Sequence, residues 1–422
     1  MREMKDSGIE WVGQIPFSWD VKPIRAKFRE VTEKNKLGIE KNALKFTYGN
    51  IVKKDNFDAA DDDYVANTIL NYMVVNPGTI MLNGLNLNFD FVTQRVALVK
   101  ERGIITSAYI AFAPILDDDI STQFFTYLLK AYDSCKAFHN MGGGVRKILN
   151  FAELKKQYIV YPTITEQKRI ANFLDAKCAE IDALTADIQT QIDILEQYKR
   201  SVITEAVTKG LNPDVEMKDS GVFYMAPMNA KWRLTKIGYI CTKLSRLFKP
   251  EDTALICSNS GKVLVRPDDV TGKMVSDDNA MQGIHAGDIA IHGMDTWHGA
   301  IALSDYDGKI TRVVHVCDST EDKRFIVYYL QHLAFQGVYK LISNGVRGNT
   351  SDFRSWDKVS DIWIAIPKTK EEQKNICDYL DRKCKSIEKV IAEKKEQLEV
   401  LDEYKKSLIY EYVTGKKEVP AI

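Results

Sequence analysis

Apolar residues recur at helical spacing over two stretches of this chain, residues 163–209 and 369–415, which are near copies of each other. Within each stretch they stand three and four positions apart, and neither stretch contains a proline or an internal glycine. This spacing places the apolar residues on one face of a helix. The pattern predicts two long amphipathic helices. Because the two stretches are near copies, the chain contains an internal repeat, which any predicted fold must include.

The ends of both helices carry recognisable signals. Each begins with a Thr-x-x-Glu capping box, in which hydroxyl and carboxylate reciprocally satisfy free backbone N–H groups: Thr163 with Glu166, and Thr369 with Glu372. Gly210 and Gly415 stand where a left-handed residue ends a helix. Both helices are therefore predicted to start and stop at these positions.

A heptad pattern gives each helix a predicted contact face. The predicted coiled-coil seam comprises Ile181, Leu184, Ile188, Leu195, Tyr198 and Val202 in the first helix, and Ile387, Val390, Leu401, Tyr404 and Leu408 in the second. Two matched helices in one chain most simply pair with each other, antiparallel. The alternative, in which each helix packs only on its own domain, stays open.

The segments before the helices alternate polar and apolar residues and contain frequent Gly and Asn, which is typical of strands and turns. Strands are predicted at 44–52, 79–82, 91–100, 158–162, 287–291, 310–316 and 362–367, and helices at 120–138 and 323–339. The predicted fold class is mixed α/β.

A second repeat frames the first. Met4–Gly8 recurs as Met217–Gly221, and Trp19 recurs as Trp232. The chain is therefore a tandem duplication with a diverged middle. The predicted domains are residues 1–162, a long helix at 163–210, residues 211–367, a second long helix at 368–415, and a tail at 416–422.

Composition narrows the function only slightly. Lys plus Arg number 58 and Asp plus Glu number 58, so the net charge is zero, which argues against a general polyanion-binding protein but leaves local basic surfaces possible. No apolar run approaches the roughly 20 residues of a membrane span. The seven cysteines form no CxxC pair, which predicts reduced thiols and a cytoplasmic location.

The usual catalytic motifs are missing from the sequence. No GxGxxG or GxxxxGK[ST] nucleotide cradle is present, nor an Asn-Pro-Pro-aromatic tetrapeptide of the kind amino-methyltransferases use. The histidines at 285, 292 and 298 fit no standard zinc spacing. The sequence predicts a non-catalytic chain that binds no metal.

Three motifs with their order and duplication resemble the specificity subunit of type I restriction–modification enzymes. They are the opening Lys-Asp-Ser-Gly followed by Trp, the Glu-Gln-Lys helix entry ending in Leu-Asp, and the Tyr-Lys-(Arg/Lys)-Ser helix exit. The entries lie at 162–175 and 367–381, and the exits at 198–201 and 404–407.

The resemblance implies two target recognition domains, each reading half of a split double-stranded DNA sequence, with an antiparallel coiled coil setting the spacing. It also implies methyltransferase subunits docked on the helices, and restriction subunits joined through them. S-adenosylmethionine, ATP and Mg²⁺ would be held by those partners, and no cofactor by this chain. The rival interpretation is a coiled-coil adaptor whose two domains bind protein partners.

Residues that contact DNA are predicted from polar side chains in loops and from two matching Gly-Val-Arg turns. They are Asn83, Asn86, Asn88, Arg146, Lys147, His292, Trp297, Arg347, Asn349 and Thr350. Arginine in such a turn can reach guanine or phosphate, and a salt bridge within the domain is an equally good interpretation of Arg146 and Arg347.

Overall fold

The computed structural model describes residues 2–54, 68–88, 94–116, 118–143, 147–267, 280–343 and 352–420. The chain divides into two compact units. Unit 1 comprises residues 1–188 and 396–422, and unit 2 comprises residues 189–395. Four predicted DNA contacts, Arg146, Arg347, Asn349 and Thr350, lie outside the described residues.

Unit 1 is built from short strands and two helices that precede the first long helix. The strands are β1 (Met4–Asp6), β2 (Gln14–Pro16), β3 (Asp20–Pro23), β4 (Phe28–Glu30), β5 (Leu44–Thr47), β6 (Asn50–Lys53), β7 (Met73–Val75), β8 (Ile80–Leu82), β9 (Val96–Leu98), β10 (Gly103–Ile105), β11 (Ile110–Pro114) and β12 (Tyr158–Tyr161). The helices are α1 (Thr122–Ser134) and α2 (Phe151–Leu154), followed by the long α3 (Ile164–Thr208), which continues into unit 2.

Unit 2 repeats this order. Its strands are β13 (Met217–Lys218), β14 (Met228–Asn229), β15 (Arg233–Lys236), β16 (Cys241–Lys243), β17 (Ala254–Cys257), β18 (Val263–Val265), β19 (Met281–Ile284), β20 (Ile289–His292), β21 (Ile301–Leu303), β22 (Gly308–Thr311), β23 (Val314–Ser319) and β24 (Trp363–Ile366). Its helices are α4 (Ile237–Ile240), α5 (Lys323–Phe335), α6 (Val338–Ile342) and α7 (Trp356–Ser360), and the long α8 (Lys370–Val413) starts in unit 2 and ends in unit 1.

Two sheets recur in both units, while the four-stranded order β18-β17-β22-β19 of unit 2 stands where unit 1 has the separate pairs β5–β6 and β7–β10. The order β4-β11-β8-β9 in unit 1 matches β16-β23-β20-β21 in unit 2, and the antiparallel pair β3–β12 matches β15–β24. Each of these two matching four-stranded sheets packs against an amphipathic helix, α1 or α5, whose apolar side enters the main core of its unit. The two mixed α/β domains predicted from the sequence are therefore present, and they share the order of this four-stranded sheet and of the strand pair.

Three predicted elements were wrong in one respect: each is interrupted by a turn in the structure. The strand predicted at 44–52 is the hairpin β5–β6, because Tyr48 and Gly49 both adopt positive φ, 45° and 71°. The strand predicted at 310–316 is two strands, β22 and β23. The helix predicted at 323–339 is interrupted at Gly337, whose φ of 71° ends α5 before α6 begins.

The predicted starts and stops of the long helices are confirmed, with one change at the start. Thr163 and Thr369 accept the backbone N–H of Glu166 and Glu372, at 3.4 Å and 3.3 Å. The two carboxylates, however, accept hydrogen bonds from tryptophans distant in sequence, so the reciprocal half of the capping box was wrong. Gly210 and Gly415 have φ of 91° and 72° at the helix ends.

Within each unit the long helices contact each other in antiparallel order. In unit 1 the rings of Phe173 and Tyr412 are 4.5 Å apart, and Lys405 forms an ion pair with Asp182 at 2.5 Å. In unit 2, Lys199 pairs with Glu388, and Lys394 donates to Gln191. The antiparallel pairing predicted from the heptads is therefore present.

Four of the eleven residues predicted for the seam were wrong. Ile181, Ile188, Val202, Ile387 and Leu408 are buried, and Leu195 and Leu401 are half-buried. Leu184, Tyr198, Val390 and Tyr404 are instead exposed, by 47%, 51%, 37% and 54%. The contact face steps by four from Ile387 to Ile391, which is buried instead of Val390, and by four from Ile188 to Ile192, which is buried although the prediction did not include it. Both steps keep a residue on the same side of a helix, so the pattern alone cannot separate them.

None of the described helices is long and apolar enough to cross a membrane.

Candidate nucleic-acid interface

Asn83 and His292 occupy equivalent positions in the two units. Asn83 directly follows β8 and His292 is the last residue of β20, which are the third strands in the two sheet orders, and each residue begins the connection to the next strand. The Asn83 N–H donates to Arg95 O at 2.8 Å, and the His292 N–H donates to Ala300 O at 2.9 Å. The structure therefore relates two residues that the sequence had singled out separately.

A glycine follows each of these residues because the backbone passes close to a neighbouring segment. A Cβ at Gly84 would lie 2.4 Å from Leu149 O, and one at Gly293 would lie 2.8 Å from Phe353 O. The N–H groups of Leu149 and Phe353 donate to the carbonyls of those glycines, at 2.9 Å and 3.0 Å. In both units the loop is thus joined to the segment that leads into α2 or α7.

In unit 1 this contact brings the predicted asparagines and Lys147 together. Leu87 N–H, inside the loop 83–88, donates to Lys147 O at 3.1 Å. Asn86 is exposed, while Asn83, Asn88 and Lys147 are half-buried. The Lys147 ammonium lies 3.5 Å from His139 O, so it turns toward its own segment. These four residues form one candidate surface at the end of β8.

Arg95, which the sequence analysis did not select, holds this loop. Its side chain is 1% exposed, and its guanidinium donates to the carbonyls of Asn83, Leu85 and Asn86 at 3.1, 2.8 and 3.3 Å. Guanidinium donors directed at successive carbonyls fix the path of a loop. The signal in the sequence is an arginine inside an alternating apolar pattern, and that pattern by itself predicts only the polar side of a strand.

A buried carboxylate accompanies that guanidinium. Asp133 on α1 is 7% exposed and accepts a hydrogen bond from the backbone N–H of Arg95 at 2.8 Å. Burial raises the pKa of Asp133, and the charge of Arg95 opposes that shift. At the equivalent places unit 2 has Ala300 and Ala334, both buried. The two charged residues are thus replaced together, as expected when neither charge is tolerated alone.

The loop of unit 2 is held from within by His292. Its Nδ1 accepts the N–H groups of Met294 and Asp295, at 3.3 and 3.1 Å, and lies 3.2 Å from Asp295 Oδ2. Burial lowers the pKa of His292, and the Asp295 carboxylate opposes this. In unit 1 the Asn83 side chain caps its loop in the same way by accepting Leu85 N–H at 3.1 Å.

Trp297 is half-buried and packs on the main core of unit 2. The Lys340 ammonium lies 5.7 Å from the centre of its ring. Its indole N–H finds no acceptor among the described residues. Across the described ranges, no group of His, Cys, Asp and Glu side chains is arranged to hold a metal ion.

Comparison with known proteins connects this architecture to one family. Residues 23–193 match the model of the type I restriction modification DNA specificity domain. The chain is 24% identical to the type I restriction enzyme MjaVIII specificity subunit of Methanocaldococcus jannaschii, over 80% of each protein. A solved structure from work on complex assembly and conformational transition of the type I R-M system matches with a TM-score of 0.66 at 13% identity, covering 96% of this chain and 99% of that one.

Residues 23–193 thus match a type I DNA specificity domain, and the chain is similar to type I specificity subunits in sequence and in fold.

The motifs that carry the family resemblance join each domain of this chain to the long helices. Trp19 Nε1 donates to Glu166 Oε2, and Trp232 Nε1 donates to Glu372 Oε1, both at 2.9 Å. The opening segment and the helix entry, distant in sequence, therefore meet at one hydrogen bond in each unit.

The glutamine of the same Glu-Gln-Lys entry continues this connection. Gln167 and Gln373 are fully buried, and each side-chain oxygen accepts the N–H of the residue that caps α1 or α5, Ser121 at 2.8 Å and Asp322 at 2.9 Å. A buried amide leaves donors and acceptors that must all be paired. The motif of the specificity subunits is thus structural in this chain, and it fixes the domain on the start of the helix.

Proposed function

We propose that this DNA sequence-specificity subunit reads a split target, one half with each unit, and itself carries out no catalysis. The observation that carries the proposal is the equivalence of the two loops: both begin at the same sheet position, at Asn83 and His292, and both pack through a glycine on the segment before a short helix. Two readers built on one plan, with different side chains in the loops, suit two different half-sites.

The loop surfaces offer the groups that base recognition uses. Asparagine amides hydrogen-bond adenine edges, and histidine and tryptophan rings stack on bases. A loop held by Arg95 or by His292 presents its side chains with little freedom left to lose, so binding costs less conformational entropy. The residues proposed to touch DNA in the described ranges are Asn83, Asn86, Asn88, Lys147, His292 and Trp297.

The paired long helices are proposed to set the distance between half-sites. Two tethered readers gain affinity through effective concentration only when the tether spans the correct length. Helices of 45 and 44 residues have a length given by residue count at about 1.5 Å per residue. Changing their length by whole turns should therefore alter the spacing in steps.

The exposed apolar residues on these helices supply a surface for partners. In unit 2, Ile194 and Tyr198 of α3 are 58% and 51% exposed, and in unit 1, Val400 and Tyr404 of α8 are 59% and 54% exposed. The two pairs stand at matching positions of the duplicated helix. Exposed apolar positions repeated in this way fit two copies of one partner.

We assign these surfaces to methyltransferase subunits, with restriction subunits joining through them. S-adenosylmethionine, ATP and Mg²⁺ would then belong to those partners.

Exchange of one domain tests the central claim. Residues 217–366 are replaced by those of another specificity subunit, and adenine methylation is mapped across the host genome. One half of the split motif should change while the other half and the spacing stay the same. The matched control exchanges residues 4–161 and should change the opposite half. A motif that changes in both halves after either exchange would contradict the two-reader proposal.

A further inference from the structure

A cavity of about 410 Å³ opens in unit 2 among α5, α6 and residues 223–226. Its walls include Tyr224 and Tyr329, and His332 lies at its base. His332 is only 4% exposed, and its Nδ1 lies 3.0 Å from Thr204 Oγ1. Burial lowers the pKa of His332 to about 4, so the imidazole is neutral at pH 7. None of these residues belongs to the loops assigned to DNA.

Unit 1 fills the equivalent space with its own side chains. Tyr410 stands at the position of the long-helix repeat where unit 2 has Thr204, and its hydroxyl donates to Trp11 O and Val12 O at 3.1 and 3.2 Å. The Lys416 ammonium also donates to Val12 O, at 2.7 Å. Trp11 adds an edge-to-face contact with Tyr132, at 5.7 Å between ring centres.

Unit 2 has smaller residues at three of these positions. Thr204 stands in the place of Tyr410, Tyr224 in that of Trp11, and Leu333 in that of Tyr132. His332 is larger than its equivalent, Ala131, and fills part of the space that the three smaller residues leave. Tyr224, Leu333 and His332 all line the cavity. Thr204 does not line the cavity itself but contacts His332, which does, so the cavity lies beside the position from which Tyr410 projects its ring in the other copy of the fold.

The missing side chain also leaves acceptors behind. Tyr224 and Met225 correspond to Trp11 and Val12 in the opening repeat, and their carbonyls accept no hydrogen bond within the described part of unit 2. Carbonyl oxygens at a cavity wall attract a donor. At the mouth, Phe223 and Leu341 are 80% and 64% exposed, so an apolar ring could enter past them.

We propose that this cavity binds an aromatic ring carrying a hydroxyl group, the chemistry of a tyrosine side chain. The ring packs against Tyr224, Tyr329 and Leu333, and its hydroxyl donates to the carbonyls that Tyr410 would reach in unit 1. Among the described residues, Tyr410 fills the equivalent position in unit 1, so we expect one ring per chain. Its occupation does not depend on DNA reading.

Titration of the full chain with p-cresol, the isolated side chain of tyrosine, tests the site by calorimetry. The wild type should bind one molecule saturably, and Thr204→Tyr should weaken that binding at least tenfold because the new ring fills the cavity. Thr204→Ser, which keeps the hydroxyl beside His332, is the matched control and should bind as the wild type does. No saturable binding to the wild type, or unchanged binding to Thr204→Tyr, overturns the proposal.

The reverse substitution tests the equivalence of the two spaces. Tyr410→Thr removes the ring from unit 1 and should raise the stoichiometry from one p-cresol to two; a stoichiometry that stays at one in a folded variant would contradict the assignment. Competition then separates the sources of the ring. If p-cresol is displaced when methyltransferase subunits assemble on the chain, the natural ring is a partner side chain. If p-cresol binds the assembled complex unchanged, the ring belongs to a free aromatic compound.

Discussion

Replacing Arg95 with methionine removes a buried charge while keeping a side chain of similar length. The carbonyls of Asn83, Leu85 and Asn86 lose their guanidinium donors, and Asp133 remains buried beside an uncharged side chain. Unit 2 provides a reference for a domain without these two charges, since its equivalent residues are Ala300 and Ala334.

The expected loss of folding stability in Arg95→Met is large because Arg95 and Asp133 are almost completely buried. Removing one member of a buried charge pair costs about 3–5 kcal/mol, chiefly through the unpaired charge that remains. Removing the second charge should recover part of this, so Arg95→Met with Asp133→Ala should be less destabilised than the sum of the single variants. Contacting charged residues typically show coupling of about 0.5–3 kcal/mol in such a cycle.

The pH dependence of stability gives an independent check that the uncompensated charge of Asp133 is what destabilises Arg95→Met. Burial already raises the pKa of Asp133 above its unfolded value, and loss of Arg95 should raise the pKa further. The folded state then holds the proton more tightly than the unfolded state. Lowering the pH from 7 to 5 should therefore restore part of the stability lost in Arg95→Met.

Urea unfolding, detected by hydrogen exchange and mass spectrometry, measures these effects because peptides from unit 1 and unit 2 report the unfolding of each unit separately. Peptides covering residues 83–98 should lose protection in Arg95→Met while those covering 289–303 stay unchanged. A loss below about 1 kcal/mol in unit 1, or a double variant as unstable as the sum of the two single variants, would refute the role given to Arg95.

Two further predictions concern the helix pair and the second loop. Ile192→Ala should lower the free energy of unfolding in urea by about 2–5 kcal/mol because Ile192 is buried. Tyr198→Glu, on the exposed face, should change that free energy by less than about 1 kcal/mol but reduce methyltransferase-subunit binding in a pull-down with purified partners. If Tyr198→Glu destabilised the chain more than Ile192→Ala did, the predicted heptad seam would be correct after all. His292 has a pKa lowered by burial, so the unfolded state takes up the proton first and the loop should lose stability as the pH falls below about 6.5. The amides of Met294 and Asp295 should then exchange faster at pH 5 than at pH 7 after correction for intrinsic rates, while the amide of Leu85, whose acceptor is the non-titrating Asn83, should not.

Sequence alone determined the features that depend on neighbours along the chain. Thr163 and Thr369 cap the helices that follow them, and Gly210 and Gly415 end those helices, because hydroxyl acceptors and left-handed glycines act within one helical turn. The duplication was equally visible, since it needs only comparison of the chain with itself. Together these signals placed the long helices and two mixed α/β segments.

Tertiary structure alone decided which distant groups meet. Glu166 pairs with Trp19 rather than with its own capping residue, because the folded domain brings an indole N–H to the helix start. Helical spacing admits steps of three and four alike, so only packing could choose Ile391 over Val390 for the helix contact. Asn83 and His292 became equivalent, and Arg95 became the support of a loop, once strand pairing had set their positions. The charges and contacts that shape the proposed DNA-reading surface arise between segments far apart in sequence, where local patterns carry no information.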